Sequence, residues 1–383
     1  MKRWIITGLL LLATVGIATA DYGIMEGPGL RIAGDLTTTF RALDRNATLN
    51  TNSHGDDPFD PIRVRMFLLK DWDSTVKMNV EFLWDNGNNV PPRIQGAYFT
   101  FTHFLGPISA KVGLIPSTIG NYGQRSTYFN LNPVIGVPAF WHYRTSMNIN
   151  GSSTNSNIKT GYENSYPGTN LAYDACWCSG VEFIYNPQPW KISLGVAKGA
   201  TDGPFSVNNG YMKSIRISEQ LNPSFLYGIS YANSNWIKDD PQHVTLPKNT
   251  LDYYQNAYNA FFEYSFGHWE FYGEGIYSRW DAPFIREGSV NATSGYVDGK
   301  WSFIPGWYWG FRVDRMQFNK ISMSNDGTGP SEPWAYDFSR FETSINWRVM
   351  REGFIRLDYQ GTHFEDEDPM NIQMMALSFQ FAF

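Results

Sequence analysis

The chain has 383 residues, of which 16% are aromatic and 17% charged, with a formal net charge of -6 at pH 7. With no basic excess, nucleic acid is excluded as a partner. The negative mean hydropathy argues against a bundle of membrane helices but not against a membrane β-barrel, whose strands conceal their apolarity by alternation. Lys2 and Arg3 come first, followed by an apolar run from Trp4 to Ile17 and then Ala18-Thr19-Ala20. This order of charge, short apolar stretch and A-x-A site predicts a secretory signal peptide over 1–20 and a single mature domain over 21–383. The run falls short of the roughly 20 apolar residues a spanning helix needs. No Cys follows Ala20, so no lipoprotein anchor is expected. Loss of Lys2 and Arg3 leaves 28 basic against 36 acidic residues, a charge of -8. Export without a spanning helix leaves two classes, a soluble periplasmic protein or a barrel.

The rest of the chain reads as sixteen strands, at roughly 30–40, 60–70, 75–84, 93–103, 107–115, 179–187, 190–200, 209–218, 222–232, 255–266, 268–280, 293–304, 306–318, 337–349, 352–363 and 371–383. Most are close to the 9–11 residues with which a tilted strand crosses a bilayer. Alternation is clear in several. Trp307, Trp309, Phe311 and Val313 oppose Tyr308, Gly310, Arg312 and Asp314. Phe341, Ile345, Trp347 and Val349 oppose Arg340, Glu342, Ser344, Asn346 and Arg348, and Ile355, Leu357 and Tyr359 oppose Arg356, Asp358 and Gln360. At the end of the chain, Met375, Leu377, Phe379, Phe381 and Phe383 take every second position. Such strands suit lipid on one side and a water-filled lumen on the other, with aromatic belts near the strand ends. The terminal Phe resembles the signal read by the barrel-insertion machinery of bacterial outer membranes.

Connections alternate in length. Asp71–Ser74, Phe104–Gly106, Gln188–Pro189, Glu219–Leu221, Gly267, Pro305 and Met350–Arg351 are short. The intervening segments 41–59, 85–92, 116–178, 201–208, 233–254, 281–292, 319–336 and 364–370 are longer. Short periplasmic turns on one rim and long outer loops on the other are the layout of an outer-membrane barrel. Sixteen strands leave an aqueous channel. The expected fold is therefore an all-β transmembrane antiparallel barrel of about 16 strands. Segment 116–178, the third outer loop, exceeds all the others, and a loop of that length is usually functional. We expect it to fold into the lumen and place Arg125, His142, Arg144 and Lys159 at a pore constriction, stiffened by Tyr122, Tyr128, Phe129, Phe140, Trp141 and Tyr143. Arg31, Arg63, Arg65, Arg216, Arg312, Arg340, Arg348 and Arg356 fall on expected lumen faces, together with Glu81, Glu263, Asp314, Glu342 and Asp358. Mixed charge of this kind suits a hydrated lumen with a transverse field. For any one of the arginines, a salt bridge within the wall is favoured over contact with solute.

Two stretches of this segment, Gly113-Leu-Ile-Pro-Ser-Thr-Ile-Gly120 and Asn132-Pro-Val-Ile-Gly-Val-Pro-Ala-Phe-Trp-His-Tyr-Arg-Thr-Ser146, resemble loop segments of the phosphate-selective porin O/P-like family. The resemblance implies a sixteen-stranded, usually trimeric porin. It also implies passive passage of small hydrophilic solutes or ions, including anions such as phosphate, with outer-membrane lipid and lipopolysaccharide as surroundings. The family's ladder of lumen arginines and a lysine has no residue-by-residue match here.

Other constellations carry less. Cys176 and Cys178 form either a local C-x-C disulfide or two inert thiols, in a compartment that permits oxidation. Glu365-Asp-Glu-Asp368 reads as a solvated loop rather than a cation site, and Asp326-Gly-Thr-Gly329 as a turn; no metal or cofactor is expected. None of His54, His103, His142, His243, His268 and His363 has the H-x-S-N-G context of an outer-membrane phospholipase, so no enzyme is expected. A further alternative is a sleeve around a periplasmic multihaem cytochrome, which would need a lumen clear of its own loop.

Overall fold

The computed structural model describes residues 30–43, 62–85, 90–125, 132–141, 143–159, 168–171, 177–198, 210–238, 246–365 and 371–383. The expected signal peptide lies outside them. The strands are β1 (Leu30–Leu43), β2 (Ile62–Asp71), β3 (Val76–Asp85), β4 (Val90–Leu105), β5 (Ile108–Pro116), β6 (Arg144–Asn148), β7 (Gly168–Asn170), β8 (Trp177–Tyr185), β9 (Trp190–Lys198) and β10 (Tyr211–Asn222). They continue as β11 (Phe225–Asn235), β12 (Tyr254–Phe266), β13 (Trp269–Asp281), β14 (Ser289–Ile304), β15 (Trp307–Phe318), β16 (Lys320–Ser322), β17 (Ser331–Pro333), β18 (Phe338–Met350), β19 (Gly353–Phe364) and β20 (Asn371–Ala382). Sixteen of these close a barrel in chain order, and β6 with β7 and β16 with β17 form small sheets within two long connections. Closure is antiparallel between β1 and β20, where Gly34 and Phe383 also exchange backbone hydrogen bonds at 2.8 and 2.9 Å. No helix among the described residues is long and apolar enough to cross a membrane, which says nothing about strands.

The sixteen expected strands are the barrel's strands; the differences lie at their ends. The turn between β10 and β11 is Pro223–Ser224, beyond the expected Glu219–Leu221. Pro223 presets the turn and lacks a ladder N–H, while Asn222 Oδ1 accepts the Ser224 N–H at 2.9 Å. Strand β14 begins at Ser289 rather than near 293, because Val290 and Ala292 are buried beneath the long connections and extend the ladder. Gly267 and Gly306 take positive φ (56° and 81°) in their tight turns, a region open to glycine without a Cβ penalty. In the β2–β3 turn, Asp73 Oδ1 accepts from the Thr75 hydroxyl and from the backbone N–H groups of Thr75 and Val76 at 2.6–2.8 Å, which holds its carboxyl below the usual range. Asp326 heads a turn: Ser324 and Thr328 donate to its Oδ1 and hold its carboxyl at about 2.

Alternation sorts the wall into two faces. On β18 and β19, Arg340, Glu342, Ser344, Asn346, Arg356, Asp358 and Gln360 are buried on the inside, while Phe341, Ile345, Trp347 and Leu357 are exposed on the outside. On β20, Met374, Ala376, Ser378 and Gln380 face in, and Met375, Phe381 and Phe383 face out. Outward aromatics gather near both rims. Trp269 stacks on Trp301 (5.5 Å) and Trp307 on Trp347 (5.3 Å) toward the short turns. Tyr231, Tyr258 and Tyr277 form a row toward the long loops. From Trp269 to Tyr277 along a tilted strand is about 20 Å, near the height of a lipid-facing band.

A cation in that band loses its hydration. Leu357→Arg on β19, one outward position above the Trp347 level, is expected to destabilise the folded barrel by about 1–3 kcal/mol. Urea titration of folding into lipid vesicles measures this, and an unchanged midpoint would place Leu357 outside the band.

Candidate functional site: the inner wall and the segment that crosses it

The chain leaves β5 at Pro116 and turns inward. Its described residues up to Tyr122 lie against β10 to β13. The Gly120 N–H donates to Ser230 Oγ at 2.9 Å, and the N–H groups of Asn121 and Tyr122 donate to the Glu274 carboxylate at 3.3 and 3.0 Å. Asn259 Nδ2 donates to the same carboxylate at 2.8 Å, and Arg216 Nη1 donates to the Gly120 carbonyl at 3.1 Å. One wall carboxylate thus takes the donors of two successive loop residues, and one guanidinium takes an adjacent carbonyl.

The same arrangement recurs over Pro133–Ala139, on β15, β18 and β19. The N–H groups of Ile135, Gly136 and Ala139 donate to Asp358 (3.1 Å), Glu342 (2.6 Å) and Asp314 (2.9 Å). In return, Arg312 donates to the Gly136 carbonyl (2.6 Å), Arg340 to that of Val137, Arg356 to that of Val134 (3.4 Å), and Ser344 to that of Pro133 (2.6 Å). The cations are also held within the wall. Arg312 binds Asp298 through two bonds of 2.6 and 2.9 Å, and Arg340 binds Asp314 at 2.9 Å. Arg312 also lies over the rings of Tyr122 (5.7 Å) and Tyr296 (5.4 Å). Loops carry backbone donors and acceptors that must be matched when buried. Here the wall's charged side chains match them.

Aromatic packing supports the crossing. Tyr122, Phe140 and Trp141 pack on one another and on Tyr296, and Tyr143 packs on Phe318 and Phe338. Farther along, Met147, Ile158 and Leu171 are buried in a core with Trp236, Ile237, Trp280 and Trp334 at the long-loop end of β11 to β18. The main chain is tied there at Ile149, whose carbonyl accepts the Lys238 N–H (2.7 Å), and at Leu171, whose carbonyl accepts from Gln255 Nε2 (3.0 Å).

Among the residues expected at a constriction, Lys159 forms an ion pair with Glu332 at 3.0 Å and lies over Tyr336, toward the long-loop rim. His142, Tyr128, Phe129 and Cys176 lie outside the described residues, as do the side chains of Arg125 and Arg144. Cys178 is buried at the start of β8. Among the expected wall residues, Arg65 pairs with Asp35 at 2.9 Å, and Arg63 and Glu81 share its inward register on β2 and β3. Arg31 pairs with Asp71 near the short-turn rim, and Arg348 donates to the Arg351 carbonyl there. On β15 and β18 the favoured salt bridges within the wall are present, Arg312 with Asp298 and Arg340 with Asp314. Arg312, Asp314, Arg340, Glu342, Arg356 and Asp358 are buried beneath the segment and matched to it.

The sequence reading passed over Glu274, Asp298 and Glu182. Parity would have placed Glu274 inward, since it shares a face with Tyr272, Ile276 and Ser278 on β13. The irregular pattern of β14 hid Asp298.

No family model matches the chain, and no curated protein matches it in sequence. In fold it is similar to the outer-membrane channel DcaP of Acinetobacter baumannii, with a TM-score of 0.59 and 10% identity over 95% of this chain and 100% of that one. It is similar to an anion-selective porin from Comamonas acidovorans, with a TM-score of 0.57 and 9% identity over 92% and 99%. It is also similar to the trimer form of the outer-membrane protein OmpT of Vibrio cholerae, with a TM-score of 0.53 and 9% identity over 95% and 100%. At such identities the likeness is one of fold.

Arg312→Met strands Asp298 and Glu342 in a buried site, and breaking a buried pair costs about 3–5 kcal/mol. The variant is expected to unfold at lower urea and to exchange its 133–141 amides faster by mass spectrometry. Unaltered exchange there would mean that the wall does not hold the segment.

Proposed function

We propose that this chain is an outer-membrane porin, assembled as a homotrimer, through which small hydrophilic solutes diffuse passively with a preference for anions. The reading rests on how the inner wall sorts its charge. On β12 to β19 the inward acids outnumber the bases, and four of them, Glu274, Asp314, Glu342 and Asp358, are engaged by the backbone donors of the crossing segment. On β1 to β9 the inward register carries Arg63, Arg65, Lys77, Arg93, Lys111 and Lys191, more bases than acids. Asp35 and Glu182 offset Arg65 and Lys111 through ion pairs of 2.9 and 3.1 Å. The segment covers the acidic side, so solute passing along the other side meets a basic wall. A charged lining selects ions of opposite sign.

In this reading, segment 116–178 narrows the lumen, and Arg125, His142 and Arg144 add basic groups to the narrowing. The trimer form of OmpT and the anion selectivity of the Comamonas porin lend support from proteins of the same fold. The signal-like segment 1–20 and the outward aromatic belts suit an outer membrane. The segment's bonds into the wall argue against a sleeve for a multihaem cytochrome, which needs that space.

Two measurements in planar bilayers test this. Under a salt gradient the protein should show current steps in threes and a reversal potential of anion-selective sign; a folded, inserted barrel that passes no current would overturn the channel reading. Neutralising Arg125 and Arg144 together, or Lys111 and Lys191 together by exchange to Gln, should move the reversal potential toward cation selectivity. A reversal potential unmoved by either pair would refute the basic-wall assignment.

A further inference from the structure

The outer surface of β12 to β15 carries a groove of about 460 Å³. Its floor is bare backbone at Gly275 and Gly295, which face each other across the β13–β14 ladder. A Cβ at Gly275 would meet nothing nearer than 3.9 Å, so open space lies above it. Phe262, whose ring covers Gly273, borders the groove on one side, and Val297 and Val313 on the other. Glycine within a strand weakens it, and it commonly marks a place where another group approaches the backbone closely. These two glycines are not in turns and do not take positive φ, so local geometry does not call for them.

The surroundings indicate the occupant. The groove lies between the Trp269–Trp301 stack and the Tyr231–Tyr258–Tyr277 row, within the band expected to contact lipid. Arg315 adjoins Gly295 in register on β15; its side chain is 55% exposed and forms an exposed ion pair with Glu365 at 3.1 Å, whose carboxylate a phosphate would replace. Arg279 is exposed four residues beyond Gly275 on β13, toward the long-loop rim. An apolar slot with cations at its long-loop end is complementary to an acyl chain joined to a phosphate.

We propose that this groove binds lipid A, the acylated and phosphorylated anchor of lipopolysaccharide, with one acyl chain over Gly275 and Gly295 and a phosphate at Arg315 and Arg279. The proposal rests on the outer-membrane reading, which makes the leaflet on the long-loop side the one built of lipopolysaccharide. Within a bilayer the selectivity comes from close van der Waals packing against bare backbone and from charge, not from apolarity as such.

Native mass spectrometry of the full barrel in detergent, titrated with lipid A, phosphatidylglycerol or phosphatidylcholine, tests it. The unaltered protein should retain lipid A in preference to the other two. Gly275→Leu, which fills the slot, and Arg279→Gln with Arg315→Gln, which remove the cations, should each weaken retention at least roughly tenfold. Neither should alter single-channel conductance, since these side chains face outward. Equal retention of lipid A by Gly275→Leu, or of phosphatidylglycerol by the unaltered protein, would overturn the proposal. A Gly275→Leu variant that loses its oligomer instead of lipid A would assign the groove to a second copy and overturn it too. If Gly275→Leu does not fold, the arginine variants decide, and undiminished lipid A retention by them refutes the site. A protein that keeps lipid A but conducts no ions fails as a channel while the groove stands.

Discussion

The rest of this structure depends on one constraint: buried backbone N–H and C=O groups must find partners. In the wall this is met by closure, because a sheet with an apolar outer face cannot leave an open edge there without a row of unmatched groups. The pairing of β1 with β20 removes both edges at once. The same requirement then applies inside. A long segment that leaves the wall and enters the barrel carries its own backbone groups into a space with no ladder to receive them.

The inner wall resolves this with charge. Glu274, Asp314, Glu342 and Asp358 accept segment N–H groups, while Arg216, Arg312, Arg340 and Arg356 donate to segment carbonyls. Charge-assisted bonds of this kind are stronger than neutral ones. Because many of these side chains also pair with one another, the segment and the wall form one network. The network is one-sided: it binds the segment to β10 through β19, and this asymmetry gives the lumen two unlike sides. Whether a charged wall residue binds the segment or faces open lumen therefore depends on whether the segment lies over it.

Strand positions and faces were legible because period-two alternation is local and strong in β15, β18, β19 and β20, where Arg312, Arg340 and Arg356 alternate with Phe311, Phe341 and Ile355. Turn positions were legible where glycine or proline punctuates a short connection, as at Gly267 and Pro305, and were missed at β10–β11 because Glu219–Leu221 looks like a turn while Pro223 makes it. The candidate site was only half legible. Parity identified inward arginines and carboxylates, but not that Arg216 and the six on β15, β18 and β19 would be covered, nor that Glu274 and Asp298 would join them.

By itself the sequence determined the strand count, the even closure, the inside and outside of the strands that alternate cleanly, and the one connection long enough to reach across. Each of these follows from periodicity or length along the chain. Which wall the segment lies on, which carbonyl meets Arg312 and which carboxylate meets Tyr122 were decided only by tertiary structure. Those partners are separated by more than a hundred residues, as Gly136 and Arg312 are, and no local pattern encodes a contact made across the interior of a barrel. The groove at Gly275 and Gly295 has the same origin, because two glycines on neighbouring strands become one floor only when the ladder sets them side by side.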